Sequence, residues 1–471
     1  MMLFHRSISI APLIGLAVSA SAQAPSLDTT RLEAALVEEM RTLRAPGVAI
    51  AVVSGDRIVY EKGFGVASVE TREPITPQTL FRIGSATKMF TGLAAVLLAR
   101  EGTLDLQQPI GRYARGLRPP LDAVTLHELL THTAGITNEG AASGPHDDSA
   151  LGDRVRGWGP ERVFAPPGDV YSYTGPGYWL AGYAIEQAGR EWFADVVTKR
   201  VLQPLGMQRS TFRPTMAMTY PLALDHRVEG ERQQLLRPYP DDASTWPSGS
   251  LFSSVRELAR FAIAFMNGGS LDGKQVLPAD VITTLSTRRA GVPGTTCGYT
   301  YGFSLCQSGS EWTLGHYGFR IGSGAVVTMA PSRRVAVIVL ANRNGGIFGR
   351  TEQHVLQQLI PGLRSSGEAP AMSSSERSAA RPASFAGIYV NGPDTLRLFE
   401  RDDTLRYSYR SDTALTRQVG EDAVAVLDRS GNVVQQFRLA HGRRTGQAYL
   451  HDGLNAFRRV ATNRGPSRTR P

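Results

Sequence analysis

Residues 27 to 43 alternate acids, arginines and leucines at helical spacing, which predicts an amphipathic helix. The period then changes. GVAIAVVSGDRIVYEKGFGVAS reads as two strands of a hairpin with residues 54–57 as its turn. From about residue 84 to 290 helical patterns dominate, separated by loops heavy in proline and glycine. Strand patterns return in GYTYGFSLCQ, SGAVVTMAP and RRVAVIVLAN, the last two joined by a PSRR turn. Strands at both ends of a helical middle predict an α/β fold in which an antiparallel sheet, built from the two ends of the segment, is flanked by helices.

After Leu363 this pattern stops. Residues 364–383, RSSGEAPAMSSSERSAARPA, carry no apolar period and read as a linker. From 384 to 460 short alternating segments recur. In TLRYSYR, for example, Leu405, Tyr407 and Tyr409 alternate with Arg406, Ser408 and Arg410, a half-buried strand. About seven or eight such strands predict an all-β domain, a small barrel or sandwich. It shows no catalytic constellation, so a stabilising or substrate-gating appendage is expected. Residues 461–471 read as a frayed tail.

Composition narrows the function. Residues 1–24 look like a secretory signal: Arg6, an apolar run over 8–18, then small residues with cleavage after Ala22 or Ala24. The run is too short to span a bilayer, so the expectation is an exported protein, periplasmic or extracellular, without stable membrane insertion. The net charge of +9 is spread over scattered arginines. Nucleic-acid binding calls for clustered basic residues and a recognisable motif, and neither is present. A small molecule or a peptide is the expected partner, and the oligomeric state stays open. Gly63 and Gly65 begin a GxGxxG-like pattern, but position 68 is serine and no helix follows. Cys297 and Cys306 enclose eight residues rich in Gly and Tyr, which suits two strands of a hairpin, and in an exported chain they are expected to pair. Two cysteines are too few for a zinc site, and His127 and His132, five apart, do not share a helical face. No metal or cofactor is expected.

One stretch carries chemistry: RIGSATKMF, residues 82–90. The chain has 51 Lys plus Arg, yet only Lys62, Lys88, Lys199 and Lys274 are lysines. Lys88 lies three residues after Ser85, so a helix puts both on one face. The helix running on to Arg100 is apolar nearly all round and should be buried. A buried lysine loses solvation of its charged form, its pKa falls, and it becomes a base for a nearby serine hydroxyl. Arginine stays protonated at any working pH and cannot do this. The spacing alone is also met by a capping serine beside a snorkelling lysine, so other landmarks have to decide. No serine has glycine at both −2 and +2, which disfavours an α/β-hydrolase elbow.

GSATKMF (84–90), TLHELLTHTAGI (125–136), PPGDVYSYTGPGYWLAGYAIEQ (166–187), SGSLFSSVRELARFAIAFMNGG (248–269) and LGHYGFRIGSG (314–324) follow in that order. Together they resemble the serine β-lactamase and penicillin-binding protein superfamily, nearest the branch of class C β-lactamases, D-alanyl-D-alanine carboxypeptidases, D-aminopeptidases and esterases. The resemblance spans about residues 30 to 360 within an expected domain of 25–363. It implies a helical subdomain beside the sheet with the site in the cleft between them, and a small β-barrel at the C-terminus. Carried over, Ser85 is the nucleophile, Lys88 its base and Tyr173 the proton relay, with Tyr171 as the competitor. The implied oxyanion hole is the backbone N–H groups of Ser85 and Phe319, and His316, Gly318, Gly175 and Arg320 line the substrate site.

The chain departs from that pattern twice. Gly175 stands where asparagine is usual, which removes an amide that would hold the lysine or a substrate carbonyl. His316 stands where β-lactamases carry lysine, which removes a permanent charge that attracts a substrate carboxylate. Arg320 is the remaining candidate for that charge. His132 reads as a structural part of a helix ending at Gly135. Trp246 and Tyr178 are candidates for the cleft lining as much as for the core, and the tyrosines of CGYTYGF for strand packing. The resulting expectation is a serine hydrolase working through an acyl-enzyme, with esters or D-amino-acid peptides ahead of β-lactams. The alternative is a catalytically idle binding protein that recognises peptides or cell-wall fragments.

Overall fold

The computed structural model describes residues 26–138, 140, 143–363 and 385–460. The expected signal, linker 364–383 and tail 461–471 lie outside the described residues. Eight strands form one antiparallel sheet in the spatial order Arg57–Gly65, Gly47–Ser54, Val335–Ala341, Ser323–Ala330, Glu311–Arg320, Ser304–Ser308, Gly298–Tyr299 and Ala290–Gly291. The two ends of the domain meet at its middle, where Val48 pairs with Ala341 and Ser54 with Val335. Runs such as GVAIAVVS are apolar throughout because both faces are covered. Val48, Ile50 and Val52 point into a core under helices Thr29–Leu43 and Gly349–Leu359, while Ala49, Ala51 and Val53 join the larger core under the helical middle. Helix Val255–Met266 packs on that second face, and the small alanines admit its backbone.

The helix read from the sequence beginning near Ser85 is Thr87–Arg100, and every residue from Thr87 to Leu98 is buried. It runs between helices Gly175–Gly189, Trp246–Gly249 and Ala279–Ser286, so no face is left for water. The second block, TLHELLTHTAGI, behaves differently from expectation. Its helix, Leu126–Leu130, begins at a capping box of Thr125 and Glu128 but stops five residues before Gly135. His132 lies beyond it with a left-handed φ of 59°.

The C-terminal strands, from Gly387–Asn391 to Ala456–Val460, close an eight-stranded barrel in chain order. The alternation read in TLRYSYR holds: Leu405 is in the barrel core and Tyr407 and Tyr409 pack against it. Closure leaves no open sheet edge. The barrel rests on the loop that precedes helix Gly175–Gly189, through a buried patch of Phe164, Ala165, Val170, Tyr449 and Ala456.

Inside the buried helix, Gly92 lies against the turn between the strands Gly298–Tyr299 and Ser304–Ser308. A Cβ there would stand 2.0 Å from the Tyr301 carbonyl oxygen. In an open helix Gly→Ala stabilises by about 0.5–1 kcal/mol. Here Gly92→Ala should instead cost about 1–3 kcal/mol through overpacking, read as a lower denaturation midpoint. Stability at or above the parent's would contradict this close approach.

Candidate active site

Several chain segments converge at one edge of the sheet. The first is the turn Gly84–Ala86, reached from the two-residue strand Phe81–Arg82 that pairs with Phe252–Ser253. Gly84 has φ +52°, and a Cβ on it would lie 2.7 Å from the Phe319 nitrogen. From the other side, a Cβ on Gly318 would lie 1.9 Å from the Ile83 carbonyl oxygen. The two backbones therefore touch where neither carries a side chain. This contact brings the peptide groups of Ser85 and Phe319 together, while the Phe319 ring turns outward and is 61% exposed.

Ser85 lies on that turn, and Lys88 is the second residue of the helix that follows. Lys88 is 1% exposed. Its Nζ is 3.2 Å from Ser85 Oγ and 2.8 Å from the Ser248 carbonyl oxygen. The same nitrogen stands 4.8 Å from the Tyr173 ring centroid and 5.4 Å from that of Tyr178. Burial alone pushes the amine down to about 7. Burial drives the Tyr173 phenol upward, against a smaller opposing pull from the Ser85 hydroxyl, so it keeps its proton. Tyr171, the competitor, instead faces His132, Tyr299 and His451.

His316 is buried on the strand Glu311–Arg320. Its Nδ1 bonds the Tyr317 carbonyl, so Nε2 accepts from the Tyr299 hydroxyl at 2.9 Å. Burial first, then the Lys88 charge, pushes this imidazole down to about 3, and it is neutral at working pH. The disulfide Cys297–Cys306 closes the hairpin that carries Tyr299. His132 accepts from the Thr174 backbone N–H on Nδ1, and its ring packs at a tilt with its centroid 4.3 Å from that of Tyr173 and 4.6 Å from that of Tyr299. Burial, then the charges of Lys88 and His316, hold it well below its ordinary value. It is a neutral aromatic wedge behind the tyrosine.

Gly175 opens helix Gly175–Gly189. A Cβ there would meet nothing nearer than Ser248 Oγ at 3.5 Å, so the missing asparagine leaves a recess. The second oxygen at Lys88 comes instead from the Ser248 backbone, and Ser248 Oγ is held by Trp179 Nε1 at 2.7 Å. Trp246 and Tyr178 are both buried. Tyr178 faces the lysine, whereas Trp246 packs on Phe212. Arg320 enters a cluster with Arg82, Asp225 and Asp241, its Nη2 3.2 Å from the Pro240 carbonyl oxygen. Burial and the neighbouring Arg82 push its guanidinium down to about 10 against the pull of the two carboxylates. Two arginines thus face two aspartates, and the charge is largely compensated.

The sequence reading missed Tyr299, Ser248 and the wedge role of His132. In the sequence Tyr299 reads as strand packing, which it also does. Ser248 contributes a carbonyl oxygen, which every residue possesses, so residue type carried no signal. Among the described residues no cluster of His, Cys, Asp or Glu is placed to hold a metal ion, and no helix is long and apolar enough to cross a membrane.

Protein flp of Staphylococcus aureus strain MW2 is 24% identical over 344 residues, 70% of this chain and 66% of its own, so the match spans just under two thirds of that relative. Penicillin-binding protein 4 of Amycolatopsis lactamdurans is 27% identical over 64% of this chain and 81% of its own. The crystal structure of SurE with D-Leu superposes with a TM-score of 0.75 at 23% identity, over 92% of this chain and 99% of that one, and so shares the fold. Residues 32–361 match the Beta-lactamase family. That match covers most of the chain, and the chain belongs to the Beta-lactamase family.

Proposed function

We infer that this protein is a serine hydrolase that forms an acyl-enzyme on Ser85 with ester or amide substrates, D-amino-acid derivatives among them. One observation carries the reading: a buried Lys88 amine, brought to about 7 by burial and within hydrogen-bond reach of Ser85 Oγ. The neutral amine takes the Ser85 proton as Oγ attacks the carbonyl carbon. The N–H groups of Ser85 and Phe319 receive the developing oxyanion. Collapse of the tetrahedral intermediate breaks the bond to the leaving group. Tyr173 gives its phenolic proton to the departing oxygen or nitrogen and recovers one from Lys88. Water then attacks the acyl-enzyme by the same proton path in reverse and releases the acid. SurE has been solved with D-Leu, which makes D-leucine esters and amides the first substrates to try.

β-Lactams rank lower, because their carboxylate finds a neutral His316 and a compensated Arg320. A hydrogen bond to a charged group is worth about 1.5–3 kcal/mol, so the absent cation should cost roughly ten- to a hundredfold in turnover. Benzylpenicillin hydrolysis should therefore run at least about tenfold slower than p-nitrophenyl ester hydrolysis, a comparison that initial rates settle directly.

Intact mass after a fluorophosphonate should show one adduct per chain, and none in Ser85→Ala. Lys88→Arg should fold yet lose about 10²–10⁴ in kcat/KM, the range of a general base. If neither fluorophosphonate nor penicillin labels the protein, the hydrolase reading fails and recognition of peptides or cell-wall fragments replaces it.

The pH profile follows from the same amine. Only neutral Lys88 accepts a proton, so activity rises with pH. Log kcat/KM should climb with unit slope below about 7 and level above it. A limb centred near 10 would mean that Lys88 is solvated and the geometry is wrong.

A further inference from the structure

Between residues 164 and 174 the loop that carries Tyr173 has no helix or strand of its own. A hydroxyl on such a loop is only as well placed as the contacts that surround it. On one side the His132 turn holds it: the Ser172 N–H donates to the His132 carbonyl at 2.8 Å, and the Thr174 N–H to His132 Nδ1 at 3.1 Å. The other side is held by the C-terminal barrel. Asp169 is fully buried, and its carboxylate accepts from the backbone N–H groups of Arg444 at 2.8 Å and Thr445 at 3.0 Å, and from the hydroxyls of Thr445 and Tyr449, both at 2.7 Å.

Closer to the site the hold tightens. The Gly453 N–H donates to His451 Nδ1 at 2.9 Å, which fixes the imidazole proton on Nε2. That proton is donated to the Tyr171 carbonyl at 3.0 Å. The Ala456 N–H donates to Ser172 Oγ at 3.1 Å, and the Tyr173 N–H itself donates to the Leu454 carbonyl at 2.7 Å. With the Arg444 side chain donating to the Pro167 carbonyl at 2.7 Å, the barrel therefore bonds residues 167, 169, 171, 172 and 173. Ser85, by contrast, lies on the Gly84–Ala86 turn, and Lys88 is held by the helix that follows and by the Ser248 carbonyl.

We propose that the barrel is part of the catalytic apparatus: its 451–456 turn holds Tyr173 where it can protonate the leaving group, with His451 as a positioning residue. This rests on the reading of Tyr173 as proton donor. Loosening the turn leaves attack by Ser85 intact and impairs only departure of groups that need a proton. p-Nitrophenolate leaves without one, whereas phenolate and ethoxide depend on it increasingly.

The test measures kcat/KM for p-nitrophenyl, phenyl and ethyl butyrate, which share one acyl group, in the full chain and in His451→Ala and His451→Gln. Fluorophosphonate stoichiometry serves as the check on folding. His451→Ala should keep one adduct per chain and nearly wild-type p-nitrophenyl activity, yet lose at least about tenfold more on the ethyl ester. His451→Gln retains a donor for the Tyr171 carbonyl and should recover most of that loss. Equal losses on all three esters, or none, overturn the proposal. If His451→Ala does not fold, Ser172→Ala is read by the same ratio, since it removes the acceptor of the Ala456 N–H. A wild-type protein that takes no Ser85 adduct and hydrolyses none of the esters overturns the hydrolase reading itself, which is a distinct result.

Discussion

The site depends on an amine kept out of water with only neutral partners. Lys88 has a hydroxyl, a backbone carbonyl and two tyrosine rings around its nitrogen, and burial is what moves its proton affinity. A charge in such surroundings costs several kcal/mol unless it is paired, and the group responds by giving up its proton near neutral pH. The surroundings bear the same imprint. His316 and His132 are pushed down by burial and then by the lysine, so the cleft holds neutral imidazoles. Tyr173, Tyr171, Tyr178 and Tyr299 are pushed up by burial and remain phenols. Lysine is thus the one group in this cage whose proton moves readily near neutrality.

Keeping that amine dry requires the rest of the fold. A helix buried on every face must be surrounded by other helices and a sheet, and Gly92 and Gly84 permit backbone approaches that side chains would block. The sheet in turn is anchored at its centre by the pairing of Gly47–Ser54 with Val335–Ala341, which ties the two ends of the domain together. Ser85 lies on a short turn and Lys88 at the start of a buried helix, and the regular elements behind them supply rigidity. The backbone contacts around Gly84 and Gly318 leave the Ser85 turn little room to drift.

The barrel fits the same logic. A loop with no regular structure needs an external frame, and five of its residues find one in the barrel's hydrogen bonds. Asp169 shows how strongly this is built. Burial would raise its pKa, but the hydrogen bonds from Thr445, Tyr449 and Arg444 outweigh that and hold the carboxyl below its ordinary value. The docking contact is therefore charged, directional and buried, unlike a tethered domain that slides on a polar surface.

Much of this was legible in the order of residues. Hydrophobic period alone yields the opening helix, the first hairpin, the buried helix after Ser85 and the β-rich C-terminal part, because periodicity records which faces meet water. The scarcity of lysine drew attention to Lys88, and the ordered blocks with their family resemblance then singled out its pairing with Ser85, which the fold brings to 3.2 Å. Relations among distant backbones were not legible. The Ser248 carbonyl beside Lys88, the contact of Gly84 with Phe319 and the Leu454 carbonyl on the Tyr173 amide use groups that every residue carries, so only folding selects them. The halt of the helix at Leu130 and the turn of His132 into the aromatic cluster likewise follow from packing around Tyr173, which outweighs local propensity. Residue types determined which chemistry is available here. Tertiary structure decided which groups are dry, which are paired and which face one another, because solvation and distance are properties of the folded chain.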